Sequence, residues 1–242
     1  MKENLIKDTT ITFLKAGVAA IPFVGGSINS VWSDLQGKQM QEKINRLYLI
    51  TELIKTDLVF IEAKVNDAFT LSSDFADVVE TTLHHIINER KEEKRIMFKN
   101  ILLNSMIAHD VDFDKTEKFC NLLTILGTME LLVLAVLYSP EVYNKKNGEP
   151  IKHLNPETPG SIRMSWVTKT VQIIDVLTEI FSKQPQSKEN IIDALNILET
   201  NRIVIPKIAT ATLQTNGHPI DILKDRLTTK GKEFASYLIL NK

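Results

Sequence analysis

Residues 187–234 are SKENIIDALNILETNRIVIPKIATATLQTNGHPIDILKDRLTTKGKEF, a stretch whose hydrophobic period changes twice. Ser187 precedes a helical pattern of apolar residues and is a typical N-cap. From Ile203 to Leu213 β-branched residues dominate, and Asn216-Gly217 is a common turn between paired strands. A second helical pattern follows Leu227-Thr228-Thr229-Lys230-Gly231. The stretch therefore predicts a helix, a small β-hairpin and a last helix.

Two further helical patterns precede this stretch. Trp166 to Phe181 carries apolar residues at three- and four-residue spacing. Met129 to Tyr138 is a separate helix, because Gly127 and Thr128 are typical of a helix stop and a new N-cap. The order helix, helix, helix, β-wing, helix is that of a winged helix. We therefore predict a winged-helix-like α+β domain over residues 128–242.

Turn-forming residues interrupt this domain. They occur at Asn147-Gly148, Pro150, Pro156 and Pro159-Gly160. Such a density of turn formers disrupts regular structure, so we expect an irregular insertion at residues 140–164.

The N-terminal half is predicted to be an all-helical bundle, the domain at residues 1–127. Its apolar residues recur at helical spacing, and Pro22 is its only proline. Leu58 to Phe69 predicts a short helix. Before it, a long helix or two helices broken near Gly37 are predicted from the apolar residues Ile28, Val31, Trp32, Leu35, Ile44, Leu47, Leu49, Ile50, Leu53 and Ile54.

Two more helices are predicted in this bundle. The first follows an N-cap at Ser72 or Ser73, and its apolar stripe is Phe75, Val78, Val79, Leu83, Ile86 and Ile87. Asp114 and Glu117 have capping-box spacing and are expected to open the second helix, which carries Phe119 to Leu126.

Composition excludes several classes of protein. The chain has 242 residues, of which 43% are apolar and 24% charged, so it can bury a core and is not disordered. Lys and Arg number 29 against 30 Asp and Glu, so no overall field draws the protein to nucleic acid or to an anionic membrane. A single cysteine and an N-terminus unlike a secretory leader predict a cytoplasmic location.

No group of residues predicts a reaction. Cys120 has apolar neighbours on a helix, which favours a buried small side chain over a nucleophile. The adjacent residues His84 and His85 point about 100° apart on a helix, which disfavours shared metal ligation. His109 to Asp114 resembles the start of a calcium loop but lacks its glycine and final glutamate, which favours a helix corner. We predict a protein without enzymatic activity, metal or cofactor.

Pro22, Gly25 and Gly26 interrupt an apolar segment. Gly25-Gly26-Ser27 before a helix could cradle a phosphate, because helix N-termini bind anions. However, no strand is predicted before it and Phe23-Val24 is apolar. A corner where helices pack closely is therefore favoured, with membrane contact as the alternative.

Two stretches have a composition compatible with a membrane. Phe119 to Tyr138 has one charge, Glu130, and the length of a bilayer span, but capping signals divide it into two core helices. Ile11 to Ile28 has only Lys15 as a charge and is interrupted at Pro22. A buried hairpin is favoured for this second stretch, and an interfacial or inserting helix is the alternative.

A DNA-binding winged helix would place the helix after the short turn in the major groove. The polar face of that helix carries Glu189, Asp193 and Glu199 against Lys188, and residues 185–242 hold eight basic and six acidic side chains. This balance favours a protein partner over DNA. If DNA is the partner, the contacts are expected from Lys188, Asn190, Asn196, Arg202 and Lys207.

Five segments recur in the order of a known family. They are Ile21-Pro22-Phe23-Val24-Gly25-Gly26, Glu93-Lys94-Arg95 through Asn100-Ile101-Leu102, Phe119 to Leu126, Glu130-Leu131 through Leu137, and Leu227-Thr228-Thr229-Lys230-Gly231-Lys232-Glu233-Phe234. In this order the chain resembles the Abi-alpha group of bacterial proteins. The resemblance implies a helical protein linked to phage abortive infection, and it implies no catalytic residue.

We therefore expect a non-enzymatic bacterial or phage protein that acts through a protein partner or self-association, in phage defence of the abortive-infection type. A winged-helix DNA-binding transcriptional regulator is the alternative. A membrane-active helical effector is the third hypothesis. No small-molecule substrate is expected.

Overall fold

The computed structural model describes residues 40–61, 64–65, 73–107, 113–147, 169–182, 187–215 and 219–240. These residues are mainly helical, as predicted. The chain divides into two compact units. The first contains the described residues up to Ile125 together with those from Ser236 onward, and the second runs from Leu126 to Ala235.

Four long helices build the first unit: α1 Met40–Ile61, α2 Ser73–Asn88, α3 Glu92–Ile107 and α4 Phe113–Ile125. Helix α2 packs against the other three. Its predicted apolar stripe is confirmed, because every residue of the stripe is buried. Burial of this stripe holds the bundle together, since each such side chain stabilises the fold by about 1.5–3 kcal/mol.

Helix α3 is buried along much of its length, including polar residues. The amide nitrogen of Asn100 donates to the Leu238 carbonyl at 2.7 Å, and that of Asn104 donates to the Tyr237 carbonyl at 3.0 Å. These bonds satisfy carbonyls at the C-terminal end of the chain's last helix, which the helix itself leaves unpaired.

Two expectations for the first unit were wrong in detail. No separate helix begins at Leu58, because α1 continues to Ile61. The sequence there has no glycine or proline to stop the helix. Asp114 is not the N-cap of α4, because the helix begins one residue earlier, at Phe113, and places Asp114 in its first turn. A carboxylate is favourable there, since it faces the positive end of the helix dipole.

Apart from the last three residues of the final helix, which belong to the first unit, the second unit contains the remaining elements. These are α5 Thr128–Tyr138, α6 Pro140–Lys146, β1 Lys169–Gln172, α7 Ile173–Ile180, α8 Lys188–Thr200, β2 Thr212–Thr215 and α9 Thr229–Leu238, with short 3-10 helices at Ile208–Thr210 and Pro219–Ile222. The predicted break between α4 and α5 is confirmed, at Leu126 and Gly127, but the predicted N-cap is wrong, because Gly127 is the N-cap of α5 and Thr128 is its first helical residue. Ser187 is the N-cap of α8 as predicted, and its hydroxyl accepts from the Asn190 N–H.

The predicted irregular insertion at 140–164 does not begin at Pro140. That proline starts α6, because a proline at the first helical position needs no N–H partner. Residues 148–164 lie outside the described part of the chain. The helix predicted from Trp166 is also wrong at its start, since Lys169–Gln172 is a strand and the helix begins at Ile173. Thr170 and Val171 are β-branched, which favours a strand.

The predicted β-hairpin is not formed by the described strands. β2 pairs antiparallel with β1. The two strands are far apart in the sequence, because α7 and α8 lie between them in the chain. Residues 203–205 make a different contact, an isolated antiparallel bridge between Val204 and Leu227. The predicted turn at Asn216-Gly217 lies outside the described residues. The β-propensity of the sequence identified extended segments here, but it could not identify which strands pair with each other.

Gly231 is required by close backbone packing. A Cβ atom at this position would overlap the carbonyl oxygen of Ile203. The Gly231 N–H donates to the Thr228 hydroxyl at 3.0 Å, so Thr228 caps the start of α9. The same hydroxyl donates to the Arg202 carbonyl at 2.7 Å. The Leu-Thr-x-x-Gly motif therefore attaches α9 to the segment that follows α8.

Candidate protein-contact surface

Helix α1 is apolar on two faces. One face lies in the core of the first unit and consists of Ile44, Leu47, Ile50, Ile54 and Ile61, all buried. The second face points away from that core, and we call it the α1 apolar face. It consists of Tyr48, Leu49, Leu53, Val59 and Phe60.

The side chains of the α1 apolar face are exposed to different degrees, and Tyr48 (38%) and Leu53 (41%) are the least exposed. Val59 is 74% exposed, Leu49 58% and Phe60 56%. Leu49, Leu53 and Phe60 follow one another at spacings that keep them within one narrow arc of the helix. Single exposed apolar residues are ordinary on protein surfaces, but a contiguous group on one helix marks a surface for another molecule.

Polar contacts fix the orientation of α1. Asp57, buried at the side of the helix, forms an ion pair with the buried Lys99 of α3. The Arg46 guanidinium donates to the Ile87 carbonyl at the end of α2, at 3.1 Å. Arg46 and Asp57 lie close to Leu53 around the helix axis, at the border between the core side of α1 and the α1 apolar face. These two contacts therefore fix how α1 is rotated about its axis relative to α2 and α3.

Sequence reasoning missed this face. It placed Leu49 and Leu53 on the same stripe as Ile50 and Ile54, because all four are apolar and close together. Residues 49 and 50 differ by about 100° around a helix, so both cannot face the same core. The signal was available in the sequence, as two separate sets of apolar residues at three- and four-residue spacing.

The predicted nucleic-acid contacts on α8 lie at the surface. Lys188 begins the helix and forms an ion pair with Asp175 of α7 at 2.9 Å. Asn190 and Asn196 are exposed on the same helix, where Glu189 and Asp193 are also exposed. The backbone N–H of Glu189 and the Ser187 hydroxyl lower the pKa of the Glu189 carboxyl, which keeps it negatively charged. This surface therefore presents mixed charge.

Arg202 and Lys207 lie in the segment after α8, and both are exposed. Both have positive φ angles, 57° and 60°. The Glu199 carboxylate of α8 accepts from the backbone N–H groups of Lys207 and Ile208, at 2.9 and 3.3 Å. The Glu199 carboxylate thus stabilises the turn at Lys207 and places a negative charge next to the Lys207 backbone. Pro22, Gly25 and Gly26 lie outside the described residues.

A small pocket of about 260 Å³ lies in the first unit beside His85. The His85 ring stacks on Phe98, with 5.1 Å between centroids, and its Nδ1 is 3.1 Å from the Thr124 hydroxyl. Thr124 donates its one hydroxyl hydrogen to the Cys120 carbonyl, so it accepts from His85 Nδ1. Burial, and then the neighbouring His84, lower the pKa of His85. The ring is therefore neutral and structural at pH 7.

Cys120 is a buried side chain, as the sequence indicated. Its exposed area is zero, and its sulfur lies 3.7 Å from the Thr82 hydroxyl. Burial raises the pKa of the thiol to about 12. Because the thiolate is the reactive form, this thiol is inert toward ordinary reagents in the folded chain.

An open cleft of about 640 Å³ lies in the second unit between α5, α6 and the segment before α9. Lys224 at its edge pairs with Glu141 and Asp221, at 2.8 and 3.1 Å, and Lys232 pairs with Asp225 at 3.1 Å. These exposed groups are two lysines and three acids, so the cleft edge carries mixed charge with a slight acidic excess.

Two further kinds of feature concern the described residues, metal-binding groups and membrane-spanning helices. In that part of the chain no three His, Cys, Asp or Glu side chains form a group able to hold a metal ion. None of the helices described is by itself long and apolar enough to cross a membrane. Helices α4 and α5 meet the length and composition test only as a pair, interrupted at the break between them.

Comparisons with known proteins add no further assignment. No protein-family model, no curated protein and no solved structure matches this chain.

Proposed function

We propose that this protein acts by binding another protein through the α1 apolar face, without catalysing a reaction, in phage defence of the abortive-infection type. The single observation that carries the proposal is the exposure of Leu49, Leu53 and Val59 on a helix whose opposite face is fully buried. Removing such side chains from water is the main source of affinity in protein interfaces. The defence setting rests on the resemblance to the Abi-alpha group.

The experiment replaces two leucines of the face with charged residues. We expect Leu49→Glu with Leu53→Glu to weaken partner binding more than about tenfold, since each leucine contributes about 1.5–3 kcal/mol when buried. A matched control, Gln41→Glu with Asn121→Glu, adds the same charge at exposed polar positions in the same unit. The partner is first trapped in bacterial cells with a photo-crosslinker at position 53, and its affinity is then measured with purified proteins.

A plaque assay tests the defence setting. Bacteria that express the wild-type chain should resist at least one phage of a panel, and the double glutamate variant should lose that resistance while the control keeps it. Full resistance in the double glutamate variant, at equal expression, would contradict the proposal.

A winged-helix regulator that binds DNA is the second candidate. What supports it is that α5, α7 and α8 precede the Val204–Leu227 bridge and α9 in the sequence, as the helices of a winged helix would precede its wing and last helix, although the described strands form no β-hairpin. Arg202 and Lys207 are exposed, and they lie before and after Val204 in the segment that follows α8. The acidic residues of α8 oppose this candidate, because they repel phosphates.

A further inference from the structure

The pocket beside His85 lies where three helices of the first unit meet. Its walls come from the last turn of α2 and the residue after it, from α3 and from α4. They are His84, His85, Asn88, Glu89, Phe98 and Thr124. The volume of about 260 Å³ is that of roughly nine molecules of liquid water, at about 30 Å³ each. The pocket is therefore large enough for a small organic molecule.

Hydrogen-bond acceptors face this pocket. His85 Nδ1 donates to the Thr124 hydroxyl at 3.1 Å, so Nε2 of the neutral ring carries no hydrogen. This is the ring's one hydrogen bond within the described part of the chain, and Nε2 therefore keeps a free lone pair. The amide nitrogen of Asn88 donates to the His84 carbonyl at 2.9 Å, which leaves the amide oxygen available as a second acceptor.

Glu89 adds a carboxylate to these acceptors. One of its oxygens accepts from the Lys91 backbone N–H at 2.8 Å, and the other lies 3.6 Å from the Lys94 ammonium. Burial opposes the shift, but these two contacts lower the pKa of Glu89, so the carboxyl is ionised at pH 7. A carboxylate has about four acceptor sites, so Glu89 can accept further hydrogen bonds from a ligand.

The cations near the pocket are used by helix ends. The Lys94 ammonium donates to the Thr124 carbonyl in the last turn of α4, at 3.1 Å, and its side chain is only 8% exposed. Arg46 donates to the Ile87 carbonyl at the end of α2 and pairs with Glu42 of its own helix. The pocket therefore lies beside the C-terminal ends of two helices, which carry partial negative charge and favour a positively charged ligand.

We propose that this pocket binds the amidinium or guanidinium group of a small organic cation. Such a group is planar and carries several N–H donors in a fixed fork, which suits a set of neighbouring acceptors that includes a carboxylate. The Phe98 ring and the carbon atoms of His85 supply apolar contact for the rest of the molecule. The inference is independent of the proposed function, because the pocket contains no residue of the α1 apolar face.

Titration of the full chain with benzamidine tests this inference. Benzamide and benzoate are the matched controls, because they carry a neutral group and an anionic acceptor on the same ring. Nuclear magnetic resonance of isotope-labelled histidine follows the Nε2 signal of His85, which is identified by its loss in His85→Gln. We expect benzamidine to shift this signal with a Kd in the millimolar range. Benzamide should bind about tenfold more weakly, and benzoate should not bind.

Glu89→Gln tests the contribution of the carboxylate. Glutamine keeps an oxygen that accepts from the Lys91 N–H, so the substitution removes the charge and preserves the turn. We expect benzamidine to bind about tenfold more weakly and benzamide about as well as before. Glu93→Gln is the matched control, since it removes the same charge from an exposed residue of α3 that does not line the pocket.

Two further probes distinguish the sources of such a group. Methylguanidinium chloride represents a free small molecule, and a blocked peptide with one arginine between two glycines represents an arginine side chain of a protein. Equal affinities would assign the pocket to a free small molecule. Binding of the peptide at least about tenfold more tightly would assign it to an arginine of another chain.

Three results would overturn the inference. The first is an unchanged Nε2 signal of His85 at benzamidine concentrations well above the millimolar range. The second is binding of benzoate as tight as that of benzamidine, which would show that the pocket selects only the ring. The third is the same benzamidine affinity in Glu89→Gln and Glu93→Gln, because the carboxylate in the pocket would then have no specific role.

Discussion

Gly231 shows how one residue determines a junction. Its Cβ position is occupied by the Ile203 carbonyl oxygen, which belongs to the backbone and cannot turn away as a side chain would. We expect Gly231→Ala to lower the free energy of unfolding by about 1–3 kcal/mol, the range for overpacking a filled site. Urea unfolding followed by circular dichroism measures this change.

Gly127→Ala is the matched control for that prediction. An added Cβ there would meet only the Glu130 carboxylate oxygen at 2.6 Å, and the side chain can move. The φ angle of Gly127 is −81°, which alanine adopts readily. A loss of stability at position 127 as large as that at position 231 would contradict the explanation by backbone overlap.

His85 makes stability depend on pH. Its pKa in the folded chain is lowered by burial and by His84, although Glu117 opposes the shift. The unfolded chain, with a histidine pKa near the ordinary value of about 6.5, therefore binds the proton more readily. Stability is fully present above that pH and is lost as the pH falls through it. We expect the melting temperature to fall between about pH 7.5 and 5.5, and less steeply in His85→Gln. Equal slopes in the two proteins would exclude His85 as the cause.

At the scale of elements, the buried Asp57–Lys99 pair joins α1 to α3. Breaking such a pair from one side leaves an uncompensated charge in the core, which costs about 3–5 kcal/mol. We expect Lys99→Met to destabilise the first unit by roughly this amount in urea unfolding. Asp57→Leu with Lys99→Met should recover much of the loss, because no charge then remains buried at this site. If the double variant is as unstable as Lys99→Met, the loss comes from packing and not from charge.

Helix periodicity predicted the helical elements well and the extended ones poorly. The stripe of α2, the N-cap of α8 at Ser187 and the break between α4 and α5 depend on neighbouring residues, so the sequence alone specified them. The pairing of β1 with β2 depends on residues far apart in the chain, and propensity carries no such information. For the same reason the α1 apolar face was missed. Which of two apolar stripes faces the core depends on tertiary packing, which the sequence pattern does not contain.

At the scale of the whole molecule, the balance of charge bears on the choice between protein and DNA. Lys and Arg number 29 and Asp and Glu 30, so the chain carries almost no net charge. Of the expected DNA contacts, Lys188 is paired with Asp175 and shares its helix with exposed Glu189 and Asp193. Exposed ion pairs contribute little energy and open easily. Repulsion of DNA phosphates by Glu189 and Asp193 therefore opposes binding more than the pairing of Lys188 with Asp175 does.

We therefore expect little binding to a mixed-sequence duplex in fluorescence anisotropy, even at about 50 mM salt, where electrostatic attraction is strongest. Non-specific binding depends on released counterions, so a true DNA-binding surface would show affinity that falls steeply toward about 200 mM. Lys188→Glu with Lys207→Glu identifies the contacts, because it should flatten that slope if the two lysines touch phosphates. Submicromolar binding with a steep slope, lost in this variant, would make the regulator the better hypothesis and would leave the α1 apolar face as its regulatory surface.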